Sequence, residues 1–266
     1  MTARVGFIGL GNMGSAILKG LAGQPGLSFT GYDLSKDKME ALRQECGMVP
    51  ASSEADVLRQ SDYVILAVKP QHMAHLLDSL TPVLGPHLCL ISIAAGITMD
   101  KLRQLSAEHC PVVRVMPNTP ALVRAGVFAV CLQDERLTEG QKDVVLSLFK
   151  PLGQVHVMEE RLFDAFTAVV GCGPAYVCYF MEALIESAVA LGLTRVQSTE
   201  MVLALFGGTV KMGMETGTHL SVLREMVTSP AGSTIQGLIH MDRTAVRGHI
   251  VDAVRHACER NVELGK

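Results

Sequence analysis

Near its start the chain reads Val5-Gly6-Phe7-Ile8-Gly9-Leu10-Gly11-Asn12-Met13-Gly14, an uncharged apolar run that breaks into the spacing GxGxxG. Residues 5–8 suit a buried strand, and the amphipathic stretch 13–21 suits a helix. Between strand and helix each glycine has its own task. Gly9 permits a tight turn, Gly11 lets a pyrophosphate approach the backbone, and Gly14 lets the helix pack closely on the strand. The unpaired amides of the first helical turn then face the anion. An acid stands about 20 residues further on, as a dinucleotide site requires. That acid is Asp33, closing a second apolar run at 28–33. Its carboxylate there accepts hydrogen bonds from ribose hydroxyls and favours NADH, whereas Ser35, Lys36 and Lys38 directly after it suit the extra phosphate of NADPH. Asp33 also reads as a cap for the helix starting at Lys36. Both cofactors therefore stay open.

Outward from this stretch, short apolar runs alternate with amphipathic ones. Strands are predicted at 4–9, 28–33, 63–68, 88–93, 112–116, 127–132 and 154–158, with helices at 13–21, 36–46, 71–84 and 99–106. The runs are apolar throughout, as in a parallel sheet covered on both faces. We therefore expect an α/β fold: a Rossmann-type, mostly parallel sheet domain over 1–158. Ligands in such sheets bind beyond the carboxyl ends of strands. That adds Ala67, Val68, Lys69 and Pro70, then Ala94, Ala95 and Gly96, and Asn118 beside Pro117, to a cofactor set of Ile8, Gly9, Gly11, Asn12, Met13, Gly14, Asp33 and Ser35.

After Met158 the strand pattern stops. Leu162, Phe166, Val169 and Val170, then Met181, Leu184, Ile185, Ala188 and Leu191, recur at helical spacing. Gly192 reads as a helix end, and Thr194 as a fresh cap with Gln197 three residues on. An all-helical domain over 159–266, of five or six helices, follows. It is so apolar that it is expected to bury part of its surface against a second copy of the chain.

With 266 residues, 48% hydrophobic and 18% charged, the chain has ample material for packed cores. A net charge of −3 gives no reason to expect a nucleic-acid partner. The seven cysteines include no CxxC pair and suit reduced thiols in a cytoplasm. The longest uncharged stretch, 165–181, is interrupted by Gly171, Gly173 and Pro174 and is shorter than the roughly 20 apolar residues a bilayer requires, so no membrane partner is expected. Nine scattered histidines show no HExxH pattern, and no metal site is expected.

The chain resembles the pyrroline-5-carboxylate reductase family along nearly its whole length. The resemblance rests on GFIGLGNMG at 6–14, AVKPQ at 67–71, SIAAGIT at 92–98, MPNTP at 116–120, GCGPAY at 171–176, Lys211-Met212 and, most specifically, VTSPAGSTIQGL at 227–238. Cys172 and Ala231 stand where the family commonly has serine and glycine. The resemblance implies a Rossmann domain joined to a helical dimerisation and substrate domain, homodimers and rings of dimers, and reduction of 1-pyrroline-5-carboxylate to L-proline by NADPH or NADH. It implies that Ser229, Gly232, Ser233 and Thr234 hold the substrate, with the Thr234 hydroxyl on the ring nitrogen as the catalytic contact, and that Glu160 lies near the substrate. The amides at the start of a helix in this loop suit a carboxylate on chemical grounds as well. Tyr176 and Lys211 read as packing and interface residues. Two other classes were weighed. A 3-hydroxyacid dehydrogenase uses a GxxxKxxxN helix, but here Gly207 and Lys211 are followed by Glu215. A sensor that binds NAD(P)H without turnover has no use for the loop at 227–238.

Overall fold

The computed structural model describes residues 3–265. Its contacts divide the chain into two compact units, one running up to Cys172 and taking in the stretch from Ala257 onward, the other Gly173–His256.

The first unit is built on eight strands: β1 (Ala3–Ile8), β2 (Leu27–Tyr32), β3 (Val49–Pro50), β4 (Tyr63–Leu66), β5 (Cys89–Ser92), β6 (Val112–Met116), β7 (Gly126–Cys131) and β8 (Gly153–Val157). They form one sheet in the order β3-β2-β1-β4-β5-β6-β7-β8, parallel throughout except at the β6–β7 pair. The helices are α1 (Asn12–Leu21), α2 (Lys36–Cys46), α3 (Glu54–Arg59), α4 (Pro70–Leu80), α5 (Met99–Leu105), α6 (Glu139–Phe149) and α7 (Phe163–Phe166). Successive side chains of a strand point to opposite faces, and here both faces are apolar. Val5 and Phe7 of β1, with Ile65 and Ile91, pack under Ile17, Leu42 and Phe149 from α1, α2 and α6. Ile8, Val64, Leu66 and Leu90 point the other way, against Val57, Met73, Leu102 and Phe163 from α3, α4, α5 and α7. The chain winds outward from β1 to β3, then crosses back to β4 on the other side of β1. That reversal opens a crevice at the carboxyl ends of β1 and β4.

All seven expected strands are present, with ends within two residues of the sequence reading. β1 stops before Gly9, which adopts φ +91°, outside any strand conformation, and β2 stops before Asp33. Three elements have no counterpart in the sequence reading. β3 is two residues long, contains a proline and lies at the sheet edge, where a missing donor is tolerated. α3 is a six-residue helix that buries only Val57 and Leu58. α6 carries a signal of its own in the sequence: a capping box between Thr138 and Gln141, followed by buried Val145, Leu148 and Phe149.

The second unit holds α8 (Gly173–Ala190), α9 (Arg195–Thr216), α10 (Leu220–Met226), α11 (Ser233–Arg243) and most of α12 (Val246–Leu264). Pro174 is tolerated because it occupies the first turn of α8, where its missing N–H costs no bond. Gly192, at φ +101°, ends the turn after α8, and Thr194 caps α9 in a reciprocal box with Gln197. Among the described residues of this unit only Ser198, Val202 and Leu223 are buried. Tyr179, Leu191, Val196 and Met214 are each at least 70% exposed. Full burial of one such side chain is worth about 1.5–3 kcal/mol, so these helices are stable only when something covers them. The end of α12 returns to the first unit, where the Leu264 carbonyl lies against Gly96.

One buried carboxylate ties the loop after β7 to the start of β6. Asp134 accepts hydrogen bonds from the Val112 amide (2.9 Å) and from Arg136 through its amide, Nε and Nη2 (3.0, 2.9 and 2.8 Å). Burial pushes its pKa up, but the Arg136 side chain and the two amides outweigh that and hold it below the ordinary carboxylate value. A depressed carboxylate contributes stability that is complete above the unfolded value of about 3.9 and is lost as pH falls toward the native value. Asp134→Ala orphans the buried Val112 amide and is expected to cost about 1–3 kcal/mol at neutral pH. Urea midpoints of the two proteins should converge as the solution is acidified.

Candidate active site

The turn after β1 shows why glycine is required at two points and leaves open space at a third. The Gly9 amide donates to the Tyr32 carbonyl (2.9 Å), and a Cβ on Gly9 would lie 2.8 Å from the Ala67 carbonyl oxygen. A Cβ on Gly14 would run into the Gly9 carbonyl, so any side chain there would push α1 off the strand. At Gly11, which caps α1, a Cβ would meet nothing within 4 Å. That open backbone surface is where a pyrophosphate can approach. No side chain caps α1 and no acid stands in its first turn, so its amides and the positive end of its dipole are available to an anion.

Asp33 stands across this turn and is already engaged. Its Oδ2 accepts the Leu10 amide (2.7 Å) and its Oδ1 accepts the Ser35 amide (2.9 Å). The carboxylate thus ties the glycine turn to the entry of α2. Ser35, not Asp33, caps α2, its hydroxyl accepting the Lys38 amide.

A cavity of about 680 Å³ opens at the crevice, within the 300–1,000 Å³ range usual for small-ligand sites. Ile8, Gly9, Gly11 and Asp33 line one side of it, and Ala67, Val68 and Lys69 from the end of β4 line another. Tyr32, Leu34, Glu54, His72 and His75 also line it and have no counterpart among the residues expected from the sequence. The signal for the histidines was available: their three-residue spacing just after the Lys69-Pro70 helix start places both on one face of α4. Pro70 opens that helix. Met13 packs on the core, while Asn12 lines a hollow of about 420 Å³ on the far side of Gly11 with Lys19 and Lys38.

The other expected cofactor residues lie outside the cavity lining. Ala94 and Ala95 lead into Gly96, which turns at φ +76°; the Ala94 amide donates to the Ser92 hydroxyl (3.3 Å). Asn118 is 7% exposed and uses both ends of its amide within the fold, accepting from Val127 N–H (2.9 Å) and donating to the Val170 carbonyl (3.3 Å). Glu160 Oε1 accepts from both the Met99 amide (2.7 Å) and Arg114 Nη1 (2.8 Å).

In the second unit, residues 227–232 form a compact turn into α11. The Gly232 amide donates to the Ser229 carbonyl (3.1 Å), so it is paired rather than free as expected, and only amides beyond it are left for a ligand. Gly232 caps α11 without a side chain, leaving Ser233 and Thr234 exposed in the first turn. Ala231 adopts φ +58°, a conformation that costs a residue with a Cβ about 1–2 kcal/mol and accounts for the family's glycine. Elsewhere in this unit Lys211 pairs with Glu215 along α9 (3.8 Å).

A glycine cradle at a sheet crossover, open helix-start amides and a ligand-sized crevice define a nicotinamide-dinucleotide oxidoreductase. Over its whole length the chain is 37% identical to the pyrroline-5-carboxylate reductase of Escherichia coli (strain K12), the match covering 100% of both proteins. It belongs to the pyrroline-5-carboxylate reductase family. Residues 160–264 match the family described as pyrroline-5-carboxylate reductase dimerisation, and residues 4–96 the one described as NADP oxidoreductase coenzyme F420-dependent. A solved pyrroline-5-carboxylate reductase from Coxiella burnetii superposes with TM-score 0.90 at 31% identity, covering 100% of each chain. That of Plasmodium falciparum, solved with NADP bound, gives 0.88 at 32% identity, covering 99% of this chain and 98% of the other. The apolar stretch Glu160–Ala190 is long and hydrophobic enough by composition alone to cross a bilayer, at mean hydropathy 1.5. It begins where the dimerisation match begins, and a domain of that family indicates a homo-oligomer.

Two measurements follow. Asp33→Ala is expected to weaken NADH and NADPH alike by about tenfold, since it releases two hydrogen bonds to a charged group that shape the shared turn. A loss confined to NADH would instead place the carboxylate on the ribose. Ala231→Gly should raise the urea midpoint, with a gain of up to about 1 kcal/mol after the entropy cost of glycine.

Proposed function

We propose that the chain reduces 1-pyrroline-5-carboxylate to L-proline, with NADPH preferred over NADH as hydride donor. The start of α11 carries the reading, because Gly232 caps it without a side chain and Ser233 and Thr234 lie exposed in its first turn, where a small carboxylate can be held. The residues that would hold the dinucleotide are those of the cradle and crevice: Gly9, Gly11, Asn12 and Gly14, with Ala67, Val68 and Lys69. NADPH bound there supplies the hydride. The preference for it is supported by Asp33, whose oxygens are both occupied by amides, and by Ser35, Lys36 and Lys38 at the start of α2.

The chain's own part in the chemistry is chiefly to bind and orient. The amides of Ser233 and Thr234, with Ser229, hold the substrate carboxylate at the positive end of α11. The Thr234 hydroxyl bonds the ring nitrogen and fixes the imine carbon toward the nicotinamide. A protonated imine is already electrophilic, so no acid–base pair has to activate it. Orientation of this kind supplies roughly 7–11 kcal/mol in favourable cases. Residues 1–158 serve the dinucleotide, and 159–266 serve substrate binding and assembly as a cytoplasmic homodimer, the unit of a ring of dimers.

Loss of reduced-nicotinamide absorbance with pyrroline-5-carboxylate tests the reaction, and running it with NADPH and NADH tests the preference. No oxidation of either by folded, oligomeric protein overturns the reading. Thr234→Ala is expected to lower kcat/KM by about tenfold, the value of one hydrogen bond to a charged group. Unchanged kinetics would remove Thr234 from the mechanism.

A further inference from the structure

Arg114 is a charged side chain with no part in the site described so far, yet it is 5% exposed in the middle of a sheet strand. A charge so deep is costly unless it is paired, and its surroundings supply two partners. Its guanidinium carbon lies 4.8 Å from the ring centroid of the fully buried Phe163, and its Nη1 donates to Glu160 Oε1 at 2.8 Å. The same oxygen accepts the Met99 amide at 2.7 Å. Met99 opens α5, so this carboxylate satisfies one of the amides that a helix start leaves without an intrahelical partner.

The turn 94–96 lies between these contacts. On its near side, Ser92 at the end of β5 is the register partner of Arg114 on β6. On its far side, Met99 is held by Glu160. Glu160 is itself fixed by its own amide, which donates to Gln133 Oε1 (3.1 Å). The short segment carrying Ala94, Ala95 and Gly96 is thus held at one end by the backbone pairing of β5 with β6 and at the other by Glu160, which the Arg114 side chain ties to β6, and Gly96 is backed by the Leu264 carbonyl. A carboxylate with an oxygen doubly engaged inside the first unit is built to hold backbone in place.

We propose that Arg114 and Glu160 are a positioning pair that sets the 94–96 turn against the nicotinamide ring. It rests on the proposed function together with the expectation, from their place beyond the carboxyl end of β5, that Ala94, Ala95 and Gly96 border the cofactor. Neither side chain touches substrate. They act on hydride transfer by fixing the wall against which the ring lies.

The test compares Arg114→Met, Arg114→Lys and Glu160→Gln as purified full-length oligomers, with melting temperature, steady-state kinetics and NADPH affinity by nicotinamide fluorescence. Misplacement by a fraction of an ångström is expected to lower kcat about tenfold and weaken NADPH severalfold, with the KM for pyrroline-5-carboxylate unchanged within about twofold. Arg114→Lys should restore part of the loss, since it keeps the charge at Glu160. A merely structural role would lower the melting temperature and leave both kcat and NADPH affinity of the folded enzyme intact, which overturns the proposal. So does a Glu160→Gln enzyme whose only change is a raised KM for the substrate, because that places the carboxylate on the substrate itself. If Arg114→Met does not fold, the two conservative variants decide. Failure of the wild-type protein to oxidise NADPH would sink the functional reading, whereas wild-type turnover with unperturbed variants sinks the positioning pair alone.

Discussion

The Leu10 amide on the Asp33 carboxylate, at 2.7 Å, is the contact on which the geometry of the cofactor site depends. A glycine turn is shaped by what constrains it, since glycine itself imposes little. Here the constraint comes from the neighbouring strand. One oxygen holds the turn between β1 and α1, and the other holds the entry to α2. The two helix starts that face an incoming dinucleotide are thereby fixed relative to each other by one side chain. Both oxygens of this carboxylate are thus engaged by backbone amides of the two turns they join.

This commitment marks the limit of what spacing in a sequence conveys. GxGxxG and an acid about 20 residues later identified the site, because the constraints on those glycines are local and steric. They did not tell whether the acid faces outward or inward. The same division runs through the fold. Long apolar runs declared the seven principal strands, while β3, with two residues and a proline, had too little pattern to declare itself. Arg114 and Glu160 were harder still. They are 46 residues apart, and neither run of sequence hints at the other. Glu160 could be singled out only by resemblance, and Arg114 not at all. Asn118 was legible as a turn residue, but both ends of its amide are occupied by backbone groups that only the folded chain brings near.

The helical unit presents a different economy. Its length, caps and turns follow local rules well, from the Thr194–Gln197 box to the left-handed Gly217 after α9. What it lacks is an interior. In α8 and α9 the apolar side chains are spread around the helix instead of being gathered on one face, a pattern that suits burial by more than one neighbour. The sequence pattern and the dimerisation match therefore describe one property: a second unit whose apolar surface suits a homo-oligomer.

The return of α12 to Gly96 also orders events in time. During synthesis the strands and helices up to Cys172 leave the ribosome long before residues 257–265, which belong to the same compact unit. The backing of the Gly96 turn can be put in place only after the whole helical unit has been made. Domains generally fold as units and in order of emergence. For this chain a nascent first unit can form its sheet and glycine turn early, but that turn stays without its backing until translation has passed through the second unit. A ribosome stalled partway would therefore hold a sheet that is largely formed and a Gly96 turn that is incomplete.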